Sequence, residues 1–133
     1  MNTRWYVALF DDAGDELHQR IGLTPGFHEQ NHSGTVDLEH HTHFLNEVMP
    51  GETVAVYSRL VARSAKRVHY LMFLVNESNN KLAAIFECIN GFLDRDARKT
   101  APFPPQIAEK IDAWLARDAK LNWPPPVSGV MNA

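Results

Sequence analysis

TRWYVALFDDAGDELHQRIG, residues 3–22, is the stretch on which the fold turns. Apolar residues fall at Tyr6, Phe10, Ala13, Leu17 and Ile21, with Leu9 beside them. That spacing belongs to a helix with one buried face, not to a strand. Asn2 or Thr3 can cap the start, and Gly22 suits the left-handed position just past the end. Ala8, Ala13 and Gly14 are small, and a mid-helix glycine costs about 1 kcal/mol relative to alanine. Small residues there suit close approach to another backbone, as when a helix lies on a sheet. An amphipathic helix that merely tolerates a glycine accounts for the same letters.

Beyond this helix the chain is mostly extended. Residues 23–33 are rich in turn formers and read as a loop. Residues 34–47 alternate Val36, Leu38, Thr42 and Phe44 with Asp37, Glu39, His41 and His43, and Pro50-Gly51 makes a turn. Residues 53–63, 67–76 and 81–93 carry the β-branched and aromatic content of strands, and Gly91 marks a bulge or a close approach. The short turns between these last three predict an antiparallel meander. Prolines 102, 104 and 105 bar regular structure from residues 95–105. Ile107, Ile111, Trp114 and Leu115 then predict a helix over residues 106–120, and residues 121–133 read as a flexible tail. One long helix followed by an antiparallel sheet is an α+β arrangement. The long first strand, of mixed face, needs its edge protected, and pairing with its copy in a second subunit supplies that.

At 133 residues the chain makes one domain with a proper core. A formal net charge of -3 gives no support for a nucleic-acid binder. The single cysteine, Cys88, excludes an internal disulfide and fits a reducing compartment. No apolar run approaches the roughly 20 residues that span a bilayer. No basic-then-apolar leader opens the sequence, so the expected location is cytoplasmic, with no membrane partner.

The order of elements and the local sequence resemble the hot-dog fold acyl-CoA thioesterases of the 4-hydroxybenzoyl-CoA thioesterase-like superfamily, and within it the betainyl-CoA thioesterase group of carnitine breakdown. Glu39-x-His41-x-x-Phe44-Leu45-x-Glu47, Gly51, Ala65-Lys66-Arg67 with His69 two residues on, and Asp94 followed by the loop to Pro102-x-Pro104 carry the resemblance. It covers roughly residues 1–115 and implies a central helix wrapped by an antiparallel sheet, subunits joined edge to edge, and no metal or cofactor; with the C-terminal helix, residues 1–120 read as one domain. In that family a strand precedes the helix and ends in Asp-x-x-Gly-His-x-Asn, whose Asp is the usual base or nucleophile. Here Asn2 stands at the motif's Asn with Trp5-Tyr6 following, and the strand and its Asp are not in the sequence. A chain that starts late, another catalytic group, and a domain that does not catalyse all remain open.

Thioester hydrolysis needs a base for water, or a direct nucleophile, and donors for the oxyanion. Backbone N–H groups near Asn2 at the helix start suit the oxyanion. Glu39 and His41, two apart on a strand, leave one face and fit a carboxylate–imidazole pair. Thr35, Asp37 and His43 are expected on that same face, which is also what a solvated face looks like. His41 and His43 could share a metal, but a third ligand would have to be Glu39 or the distant His28 or His32. Arg63, Lys66 and Arg67 offer a basic rim for coenzyme A phosphates, although surface turns are commonly basic. Trp5 and Tyr6 fit an acyl or quaternary-ammonium pocket, or simply the core. Asp11, Asp12, Asp15 and Glu16 offer a helix-borne base or a solvated helix face, and Cys88 a packed thiol. The expectation is a homodimer or homotetramer hydrolysing an acyl-CoA, betainyl-CoA or another short one. Its pocket would lie at the subunit interface, between the helix start and the Glu39–His41 strand. The alternative is a non-catalytic hot-dog domain that binds acyl-CoA or serves assembly. A hydratase or dehydratase on the same scaffold would need an Asp–His pair at the helix.

Overall fold

The computed structural model describes Met1–Ala133. The amphipathic helix is α1, Thr3–Arg20, and its stripe of Tyr6, Phe10, Gly14, Leu17 and His18 is buried. Gly22 takes φ +92° just past its end, the left-handed conformation that glycine adopts without strain. Asn2 occupies the capping position, but its side chain makes no capping bond, so it leaves first-turn N–H groups open. The stretch read as a loop contains a short helix, α2, Pro25–Asn31. Thr24 accepts the N–H of Phe27, and Pro25 sits in the first turn. Helix α2 buries no residue, so it has no apolar period to betray it.

Strands β1 (Ser33–Phe44), β2 (Val54–Arg63), β3 (Arg67–Asn76) and β4 (Lys81–Asp94) form one antiparallel sheet in the order β1-β4-β3-β2. The pair Lys99–Thr100, β5, adds a short rung to β4 within the proline-rich loop. The β2–β3–β4 meander is the one the turns predict. Strand β1 pairs with β4, so residues 45–53 cross one end of the sheet to reach β2, and Val48 is buried on the way. Helix α1 lies on one face of the sheet. There Phe10 stacks on Phe86 at 4.9 Å between ring centroids, and Tyr6 meets Phe44 edge-on at 5.0 Å. Each such ring removed from water stabilises the fold by about 1.5–3 kcal/mol. Helix α3, Pro105–Asp118, packs Ile107 and Ile111 into the same core beside β2. This is the α+β hot-dog architecture implied by the resemblance.

The two outer strands are treated differently. Asp118 at the end of α3 accepts the Leu60 N–H at 2.9 Å, which satisfies part of β2. Strand β1 has β4 as its only neighbour. Residues 121–133, expected to be flexible, instead make specific contacts on the sheet face opposite α1. Trp123 covers the Arg59 guanidinium at 4.1 Å and accepts its N–H at 2.8 Å, the Ser128 N–H reaches Glu87, and Met131 is buried. The apolar surface of Trp123 and Met131 is the physical reason that this segment docks.

Gly91 is a site of close approach. A Cβ there would lie 2.9 Å from Thr100 Cγ2 and 3.3 Å from Leu38 Cδ1. At Gly14 a Cβ would meet only the Tyr70 hydroxyl, at 3.9 Å, so the expected backbone squeeze on α1 is absent. Gly91→Ala is therefore expected to lower stability by about 1–3 kcal/mol through overpacking. Gly14→Ala should raise it by up to about 1 kcal/mol of helix propensity. Denaturant melts of the two variants check the contrast.

Candidate active site

The ladder between β1 and β4 pairs Asp37 with Asn90 and then Glu39 with Ile89, which leaves Leu38 as a bulge. One extra residue reverses which side chains face which way. Before the bulge, Thr35 and Asp37 face α1. After it, His40, Thr42 and Phe44 do, as the contacts of His40 with Phe86 and of Phe44 with Tyr6 require. Glu39, His41 and His43 are consequently on the opposite face, where all three are exposed, away from the helix start. This corrects the expected Glu39–His41 pocket. The two do not share a face with Asp37, and neither reaches α1. His41 lies across the ladder from Glu87, and its ring is 5.9 Å from that of His43.

A different carboxylate–imidazole pair faces α1. Asp37 Oδ2 accepts from His40 Nε2 at 2.9 Å, and Oδ1 accepts from Asn90 Nδ2 at 2.6 Å and from the Cys88 thiol at 3.4 Å. Burial pushes the Asp37 carboxyl up, but the hydrogen bonds from Asn90, His40 and Cys88 together overcome it and hold the group below the usual range. Asp37 is thus an ionised acceptor, so His40 donates to it from Nε2, and the other ring nitrogen, Nδ1, is the one turned away from the carboxylate. Asn90 passes the network on, since its Oδ1 lies 3.1 Å from His18 Nε2. Burial lowers the His18 pKa despite Asn90, so this ring is neutral and donates to Asn90. Burial likewise pushes the Tyr70 hydroxyl and the Cys88 thiol up, so both stay protonated.

Asp37, Asn90, His18 and Tyr70 border a cleft of about 290 Å³ between α1 and the sheet, lined also by Phe10, Asp11, Asp15 and Phe86; His40 stands behind this wall, bonded to Asp37 and edge-on to Phe86. The remaining expected residues are scattered. Tyr6 is buried in the core, whereas Trp5 is half exposed with Arg4 against its ring. Asn2 lies near Tyr6, Phe44 and Leu45 at the amino end of α1, more than two helical turns from the cleft. Arg63 is committed to Asp112 through two bonds, one of 2.9 Å. Lys66 and Arg67 sit at the other end of the sheet, where Lys66 O accepts the Phe92 N–H. Sequence reasoning misses Asp37, His40, Asn90 and His18 as a group. Only His18 leaves a signal, because it falls four residues after Gly14 on the buried stripe.

The sequence family described as the Thioesterase-like superfamily matches residues 1–111, and the chain belongs to it. Among curated proteins it is 27% identical over 131 residues to the betainyl-CoA thioesterase of Pseudomonas aeruginosa, covering 98% of this chain and 82% of that one. It is also 27% identical over 124 residues to the L-carnitine dehydrogenase/betainyl-CoA thioesterase of Rhizobium meliloti, where it spans 93% of this chain but about a quarter, 25%, of that protein's length. Among solved structures, a Staphylococcus aureus protein in complex with CoA superposes with a TM-score of 0.87 at 23% identity, over 93% of this chain and 78% of that one.

The opposite sheet face holds a second acid–imidazole pair, Glu87 Oε2 to His69 Nε2 at 2.6 Å, both side chains buried. Burial pushes Glu87 up, but Ser128 and His69 outweigh it and lower its pKa below the ordinary 4.5. A depressed carboxyl contributes stability that is present above its unfolded pKa and lost as pH falls through the folded one. The thermal advantage of the wild type over Glu87→Gln is therefore expected at neutral pH and should shrink progressively below pH 4.5. Parallel melts across that range give the check.

Proposed function

We propose that this chain is an acyl-CoA thioester hydrolase in which His40 is the general base and Asp37 its orienting carboxylate. The observation that carries the reading is the Asp37–His40 bond of 2.9 Å beside the α1 cleft. The ionised carboxylate fixes the tautomer, so Nδ1 takes a proton from water as its oxygen attacks the thioester carbonyl carbon. The oxyanion collapses, the C–S bond breaks, and the imidazolium returns the proton to the departing CoA thiolate. The products are a carboxylic acid and free CoA. Thr35 and Tyr70 line the same cleft and bring hydroxyl donors to its wall.

The cleft also suggests the acyl group. Asp11, Asp15 and Asp37 bring three carboxylates, Phe10, Tyr70 and Phe86 bring aromatic rings, and no lysine or arginine lines it. Such a wall favours a cationic acyl group, above all a quaternary ammonium. Betainyl-CoA fits this chemistry, in keeping with the names of the relatives. A role in carnitine breakdown, in the cytoplasm, accords with that substrate. The open edge of β1 supports a homodimer in which two copies pair along this strand. Lys66 and Arg67 remain the proposed contacts for CoA phosphates.

Purified chain is expected to release thiol from betainyl-CoA faster than from neutral acyl-CoAs of similar size. His40→Ala and Asp37→Asn should each lower kcat by about 10²–10⁴-fold with little change in melting temperature. Asp15→Asn should raise KM for the cationic substrate more than for a neutral one. If the wild type releases no thiol while acyl-CoA raises its melting temperature, the chain is a binding module instead.

A further inference from the structure

We propose that Asp37, His40 and Cys88 form a binding site for a zinc-class divalent cation, and that the cation, by engaging His40, switches off hydrolysis. The second half rests on the function proposed above; the site itself does not.

A carboxylate oxygen of Asp37, a ring nitrogen of His40 and the sulfur of Cys88 all lie within 4.8 Å of one another. The β1 bulge makes the cluster possible. In a regular strand Asp37 and His40, three residues apart, would point to opposite faces, whereas the unpaired Leu38 puts both toward α1. His40 is then directly across the ladder from Cys88, whose thiol is fully buried. His40 Nε2 is 2.9 Å from Asp37 Oδ2 and Cys88 Sγ is 3.4 Å from Oδ1, so the carboxylate already bridges the two other donors, and a small side-chain adjustment brings one oxygen to the spacing of a tetrahedral site. Zinc–ligand bonds of about 2.0–2.3 Å place neighbouring ligands about 3.3–3.8 Å apart. One oxygen, one nitrogen and one sulfur donor suit zinc and its relatives, not magnesium or calcium. Asn90 donates to Asp37 Oδ1 at 2.6 Å, which leaves Oδ2, the oxygen beside His40, as the ligand atom and makes Asn90 an outer-shell partner.

At present two hydrogens occupy the centre, on His40 Nε2 and on the Cys88 sulfur. Binding replaces both. The thiol proton leaves to solvent, and the imidazole proton passes to Nδ1 as Nε2 takes the metal. The cation's two charges are then balanced by one thiolate and one carboxylate, giving a neutral complex suited to a half-buried position. With Nδ1 protonated and Nε2 ligated, His40 no longer accepts a proton from water.

Titration of the full chain with Cd²⁺, read by the thiolate-to-cadmium absorption band, tests the site without reference to activity. The expected result is a saturable band at one cation per chain, displaced by Zn²⁺ and absent in Cys88→Ser. Asp37→Asn and His40→Ala should weaken binding by at least the 10–100-fold that loss of an outer-shell partner costs. No band, or a band unchanged in Asp37→Asn and His40→Ala, overturns the site; a melting curve of each variant confirms that it is folded. Hydrolysis is monitored in parallel by loss of thioester absorbance, because zinc binds released thiol. Zn²⁺ should inhibit the wild type, a chelator should restore it, and whatever rate Cys88→Ser retains should be insensitive to zinc. Cadmium binding with hydrolysis indifferent to zinc overturns the switch. Cadmium binding by a chain with no hydrolysis in metal-free buffer overturns the function proposed above and leaves the metal site standing.

Discussion

The phase of β1 governs what this domain presents to its central helix. A strand alternates strictly, so a single unpaired residue exchanges the two sets of side chains from that point on. Leu38 is that residue, and Gly91 across the ladder makes room for it: the side chains of Leu38 and Val36 converge on the space where a Cβ at Gly91 would lie 3.3 and 3.7 Å away. Bulge and glycine are therefore one device. Because of it Asp37 and His40 share a face, and Glu39 and His41 are displaced to the other.

The polar cluster that results is closed on itself. His18 donates to Asn90, Asn90 to Asp37, and His40 and Cys88 to the same carboxylate. Within this relay every polar group but His40 Nδ1, the nitrogen proposed to act on water, has a partner, which is the condition for a polar network to specify one arrangement instead of weakening the core. The aromatic layer around it, with Phe10 stacked on Phe86 and His40 edge-on to Phe86 at 4.6 Å, fixes the walls against which the imidazole is held. Rigidity of the helix and sheet is thereby transmitted to the pair proposed to act on substrate.

Much of the architecture is legible in the sequence, because it rests on periodicity. The apolar stripe of α1 and the short turns of the β2–β3–β4 meander translate directly into elements, and Gly22 and Gly91 do what their positions imply. Helix α2 escapes because it buries nothing and leaves no apolar period. The docking of residues 121–133 escapes because it depends on contacts with Arg59 and Glu87, far away in sequence. The site is misread from the sequence for one physical reason. Counting alternate residues from Thr35 to His43 assumes a regular ladder, and nothing in the letters Val36-Asp37-Leu38-Glu39 distinguishes a bulge from a continued strand. His40, adjacent to the expected pair, is the residue that a count including the bulge would choose.

The most direct test of this arrangement is nitrogen-15 NMR of the imidazoles, with nuclear Overhauser contacts from each ring. The account predicts that His40 carries its proton on Nε2, with Nδ1 unprotonated, and that its ring protons contact Phe86 while those of His41 contact neither Phe86 nor Phe10. Contacts from His41 to these phenylalanines, with His40 averaging between tautomers in solvent, would contradict it and return the strand to regular phase.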